Sequence, residues 1–179
     1  MNDYKQNPHP RQRYDITMTI ADAPGPFASI KGIMQYDVVT PECMPPPDRF
    51  SGLSAPRLSV DIPVSYTRIS DTGYVGTVYT DMMIDEDYYG EGVCHWRLIS
   101  TRVLLKATGA PGETTFFPNL RAKDLLAGQA VTAYFWKGGY PRSEMENYPD
   151  FGEPLPSKFK PELQQQLFSI TLAPKAVTP

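Results

Sequence analysis

The run Leu58-Ser59-Val60-Asp61-Ile62-Pro63-Val64-Ser65-Tyr66 sets an apolar residue at every second position, with Ser, Asp and Pro between. Period two is the spacing of a β-strand with one buried face. Pro63 has no N–H to give to a ladder, so this strand belongs at a sheet edge or a bulge. The same alternation recurs upstream in Tyr14, Ile16, Met18 and Ile20, and again in Ile30, Met34, Tyr36 and Val38. Downstream, Tyr74, Val78 and Met82 continue it over 74–83, and the turn Ser70-Asp71-Thr72-Gly73 makes that run the return arm of a hairpin. Further strands are expected over 93–105, 114–117, 131–137 and 167–172.

Helix is scarce. Residues 119–127 predict one short helix, with Asn119 as its cap, Leu125 and Leu126 on one side and Gly128 as its stop. A single helical turn is expected at 162–166. Nineteen prolines among 179 residues exceed one in ten. An interior proline costs a helix about 3 kcal/mol, which excludes a helical bundle. The prolines gather in two long loops, 40–56 and 138–161. The expected fold is therefore all-β: an antiparallel two-sheet β-sandwich of about eight strands with one short helix and long Pro-rich loops. An open barrel is the alternative. Residues 1–13 read as a flexible tether, 14–173 as a single domain and 174–179 as a tail.

Seventeen basic and 20 acidic residues give a net charge of −3, without the clustered basic surface that nucleic acid requires. Aromatic residues make up 12% of the chain, too many for a disordered one. No apolar run is long enough to cross a membrane as a helix. The polar start at residues 1–13 is no signal peptide. It suits either a cytoplasmic chain or the mature form of an exported protein or lipoprotein, whose lipid anchor would be its only membrane contact.

Two cysteines are present, Cys43 and Cys94, neither in a Cys-x-x-Cys pair. A disulfide between them would close a loop of about 50 residues and contribute about 4 kcal/mol. It would also place the protein in an oxidising compartment such as the periplasm. Two free thiols in a reduced cytosol are the other reading.

The motifs of common chemistries are missing. There is no Gly-x-Ser-x-Gly elbow, no P-loop and no dinucleotide fingerprint, so no cofactor is expected. Only His9 and His95 could serve as a histidine base. Residues 85–90 match a calcium loop at its first, third and sixth positions, but Tyr89 and Trp96 stand where ligands are required. Asp81, Asp85 and Asp87 leave an irregular calcium site open. A hydrolase using paired carboxylates is a further reading, since sequence supplies no distances.

One constellation stands out. Residues 81–96 contain Asp81, Asp85, Glu86, Asp87 and Glu91, with Tyr88 and Tyr89 among them, and no Lys or Arg before position 97. Tyrosine offers apolar area at low entropic cost and a single sign of charge steers a partner, so this loop is the expected partner-binding surface. The plain reading is a solvated loop covering the end of a sheet. A second aromatic group, Tyr134, Trp136, Tyr140, Tyr148 and Phe151, suits either a satellite core or a sugar-stacking platform. Trp136, Tyr140 and Tyr148 would carry the sugar-binding alternative.

Gly25-Pro26-Phe27, Cys43 and Tyr88-Tyr89-Gly90-Glu91-Gly92-Val93-Cys94-His95-Trp96 together resemble small periplasmic lipoproteins of proteobacteria that act as immunity partners of secreted antibacterial toxins. The resemblance covers about residues 14–136. It implies a non-enzymatic inhibitor that binds a cognate toxin or effector in the periplasm and blocks its active site. A carbohydrate- or ligand-binding or structural envelope module is the alternative function.

Overall fold

The alternating run at 58–66 divides between two sheets. Strand β3 (Ser59–Val64) pairs with β2 (Ser29–Val38) at the edge of one sheet, while β4 (Tyr66–Arg68) pairs with β5 (Gly73–Tyr79) at the edge of the other. Ser65 lies at the crossing. Ile62 and Val64 are buried and Tyr66 is half-buried, so the inward face stays inward across the switch. The computed structural model describes residues 3–47, 50, 52 and 58–179. The expected 40–56 loop is thus described in part: it opens with a 3-10 turn, Pro41–Cys43, while residues 48–49, 51 and 53–56 lie outside the described residues.

The remaining strands are β1 (Arg13–Ala21), β6 (Trp96–Lys106), β7 (Thr115–Phe116), β8 (Asn119–Arg121), β9 (Val131–Trp136), β10 (Pro149–Asp150) and β11 (Leu167–Val177). One sheet has the order β4-β5-β1-β11-β9 and is antiparallel throughout. The other has the order β10-β7-β6-β2-β3, with β8 also on β6; only the β10–β7 pair is parallel. This is the expected two-sheet sandwich; the eleven strands among the described residues outnumber the eight read from alternation because β4 is split off from the run at 58–66 and β8 and β10 are short.

The inward faces form one core. Ile16, Met18, Val78, Phe168, Ile170 and Leu172 from one sheet meet Met34, Tyr36, Val103, Leu105 and Phe116 from the other. Phe116 makes edge contacts with Phe135 and Phe168, with ring centres 5.3 and 5.2 Å apart. Such pairs add specificity beyond the area they bury. The Tyr36 hydroxyl donates to the Tyr79 carbonyl, tying the sheets together.

Three expectations are corrected. The helix α1 covers only Ala122–Leu126, and Asn119 caps nothing. Residues 119–121 pair with β6 instead, because Leu120 is fully buried there and tertiary pairing overrides local helix propensity. The stop does lie at Gly128, in the left-handed region at φ 67°. The tail expected from 174 is strand through Val177, with Pro174 opposite Ile16. Beyond Leu172, β11 has no β9 partner, and a strand bonded on one side alone admits proline. The segment expected as a flexible tether is docked: Gln6 bridges to Met83, and the Arg11 and Gln12 N–H groups donate to the Asp81 carboxylate.

Candidate functional site

Beyond β5 the chain returns to β6 through residues 80–95, and the disulfide decides how that return is held. Cys43 and Cys94 are joined, both fully buried, with Cα atoms 5.2 Å apart. The bond ties the Pro41–Cys43 turn to the residue two before β6. Val38, Met44, Leu58, Tyr88, Tyr89 and Trp96 pack around it. The Cys94 N–H donates to the Glu86 carbonyl at 2.9 Å, closing a lobe over 87–93. Gly90 and Gly92 turn its tip with φ of 79° and 119°, values that side-chain-bearing residues rarely take.

Three acids of this segment, Asp85, Glu86 and Asp87, are held by contacts at the lobe. Asp85 accepts the Trp96 N–H at 2.9 Å through one oxygen and contacts His95 Nδ1 at 2.8 Å through the other. Asp87 accepts the Gly90 N–H at 2.6 Å. Glu86 pairs with Lys5 at 2.7 Å, and this carboxylate raises the Lys5 pKa. Glu91 is exposed and has no ion pair among the described residues. The lobe does not bring Asp81, Asp85 and Asp87 together as calcium ligands: among the described residues no three His, Cys, Asp or Glu side chains gather closely enough to hold a metal ion.

Tyr88 and Tyr89 are half-buried. Tyr88 donates its hydroxyl to the Ile84 carbonyl at 2.5 Å, and Tyr89 shares a hydrogen bond with the Tyr4 hydroxyl. Tyr4 stands edge-on to Tyr88 and Trp96, with ring centres 5.3 and 5.4 Å away. Burial, then the Tyr89 hydroxyl, push the Tyr4 phenol up to about 12. The outward surface at this end therefore includes Asp85, Asp87, Glu91, Val93 and His95, with Val39 and Glu42 on the neighbouring segment. Tyr4 and Lys5 are parts of this arrangement that the sequence reading left in a tether. An aromatic beside a lysine in an otherwise polar stretch was the available signal.

The second aromatic group divides. Tyr140 is turned inward, donating its hydroxyl to the Pro26 carbonyl at 2.5 Å and packing on Phe27. Trp136, Tyr148 and Phe151 are exposed; Phe151 stacks on Phe117 with ring centres 5.1 Å apart. A groove of about 640 Å³ opens between β3 and β5, lined by residues that include Met34, Ile62, Val75, Tyr79 and Met82. Among the described residues that line it, none is Asp, Glu, His, Lys or Arg.

Comparison with known protein families, with curated proteins and with solved structures finds no match to this chain.

Proposed function

We propose that this protein is a non-enzymatic binding module of an oxidising extracytoplasmic compartment, an immunity-type inhibitor that blocks a secreted antibacterial toxin. The observation that carries the reading is the Cys43–Cys94 bond beneath the acidic lobe. A crosslink of this kind belongs to oxidising compartments, and it holds the lobe in one conformation before any partner arrives. Asp87, Glu91 and Val93 at the tip then offer charge and apolar area to a basic cleft, while Tyr88 and Tyr89 support them from below. Charges at the rim of an interface act chiefly on association rate.

The test pairs this chain, exported to the periplasm, with the product of the adjacent reading frame expressed there as a candidate toxin. Growth is expected to be rescued. Glu91→Lys, at an exposed position with no ion pair among the described residues, is expected to slow association several-fold at low salt while the fold is unchanged. No rescue and no complex would overturn the reading, as would catalytic turnover by the purified chain.

A second reading follows from the exposure of Trp136, Tyr148 and Phe151: carbohydrate stacked on these rings. Glycan-array binding lost in Trp136→Ala would favour it over toxin inhibition.

A further inference from the structure

Residues 4–7 form an extended arm laid antiparallel along residues 82–84. The Asn7 N–H donates to the Met82 carbonyl at 2.6 Å, and the Ile84 N–H donates to the Lys5 carbonyl at 3.0 Å. The Tyr4 ring enters the cluster of Tyr88, Tyr89 and Trp96, and the Lys5 ammonium reaches Glu86. From these contacts we infer that the arm is the resident occupant of a peptide groove, and that an extended segment of the partner, with an aromatic residue followed directly by lysine or arginine, displaces it. The inference rests on the binding role proposed above and names the partner segment that this end of the sandwich accepts.

Three observations support displacement. The Lys5–Glu86 pair is largely solvent-exposed, at 59% and 39%, and exposed pairs hold little. Pro8 and Pro10 in the link between the arm and β1 offer no N–H, and the bonds that do hold the link, from the Arg11 and Gln12 N–H groups to Asp81, lie outside residues 4–7 and survive displacement. Trp96 Nε1 is buried with no hydrogen-bond partner beside the Tyr4 ring. A buried indole N–H usually has an acceptor, so the resident arm leaves unmade a bond that a displacing segment can supply. Glu86, which holds Lys5 of the resident arm, favours a cation next to the incoming ring. Backbone pairing along 82–84 supplies affinity, and the ring slot supplies selectivity, as in other cases of strand addition.

The test uses the full chain and a labelled peptide of the arm's own sequence, Asp-Tyr-Lys-Gln-Asn-Pro-His-Pro. Tyr4→Ala with Lys5→Ala weakens the resident arm; Lys5→Glu alone, at an exposed position, serves if the double variant fails to fold. The peptide is expected to bind either variant at least about tenfold tighter than the native chain, whose own arm competes at millimolar effective concentration. Binding should be lost when the peptide's Tyr and Lys are both Ala, and the bound peptide should slow amide exchange at Ile84. No binding to the variants, or equal binding to native and variant chains, overturns the inference. Gln6→Cys with Met83→Cys crosslinking between two copies instead of within one would assign the groove to a second copy and overturn it too. Toxin inhibition without peptide binding removes the groove alone, and peptide binding without toxin inhibition removes the inhibitor reading alone.

Discussion

The ring of Tyr66, on the edge of one sheet, rests against Gly32 in the other: a Cβ on Gly32 would stand 2.6 Å from Tyr66 Cε2. Gly76 flanks the same ring, with a Cβ 2.8 Å from Cζ. The tyrosine thus closes one open side of the sandwich through a slot that two glycines leave free. Gly32→Ala is expected to destabilise the protein by about 1–3 kcal/mol through overpacking, read as a lower urea midpoint. Tyr66→Ala should remove only part of that penalty in the double variant, since the ring and the new methyl are in contact but the methyl also meets the Val64 carbonyl oxygen at 2.6 Å. Strictly additive losses would show that the ring is not what the new methyl meets.

Removing the crosslink tests the lobe. Cys43→Ala with Cys94→Ala is expected to lose about 4 kcal/mol, the chain-entropy value for a loop of this length. Chemical denaturation of native and variant chains, each measured without reductant, gives the difference. A loss below about 1 kcal/mol would mean that the packing of Val38, Tyr88 and Trp96 holds the lobe without the bond.

Tyr88 and Tyr89 support the lobe from within, so truncating them acts on stability before it acts on any partner. Tyr88→Phe removes the bond to the Ile84 carbonyl and should cost about 1 kcal/mol. Tyr88→Ala also removes the ring that packs edge-on to both Tyr4 and Trp96, and is expected to cost about 3 kcal/mol or more. Thermal melts of the two variants rank them; equal melting temperatures would show that the ring contributes no packing.

Two carboxyls give the pH dependence opposite signs. Glu113 accepts N–H bonds from Thr108, Gly109 and Ala110 and the Thr108 hydroxyl, which hold its pKa below the ordinary value. Its stabilising effect is full above the ordinary glutamate range and fades as pH falls through the lowered pKa. Asp150 is pushed above its ordinary value by burial, against the Gly152 N–H bond that opposes the shift. Its favourable state is the protonated one, so stability is lost as pH rises through the raised pKa. Glu113→Gln should therefore destabilise at pH 7, and Asp150→Asn, which keeps an oxygen for Gly152, should stabilise. Both differences should shrink on acidification towards pH 3. A pH-independent difference in either variant would show that its carboxyl does not titrate as described.

The fold was legible where one face of a strand is buried along its whole length. Ile16, Met18 and Ile20, and again Ile62 and Val64, announce their strands because the opposite residues face water. The switch of sheets at Ser65 left no mark, since both sheets need the same inward parity. Residues 119–121 carry a helix cap's composition, yet Leu120 finds its burial by pairing on β6. The Cys43–Cys94 bond followed from count and isolation. The roles of Tyr88 and Tyr89 did not, because an aromatic beside acids reads alike whether its ring faces water or a docked arm. Tyr4 beside Lys5 in a polar stretch signals a contact but not with what, because its partners lie more than 80 residues away.

Strands β1 and β11 lie side by side along nine matched positions, from Arg13 opposite Val177 to Ala21 opposite Ser169, in the middle of their sheet. A growing polypeptide leaving the ribosome presents β1 long before its central neighbour exists. That sheet is completed only when residues 167–177 have emerged, so its assembly waits for at least that stretch, and a chain cut before it leaves β1 with a bare, sticky edge.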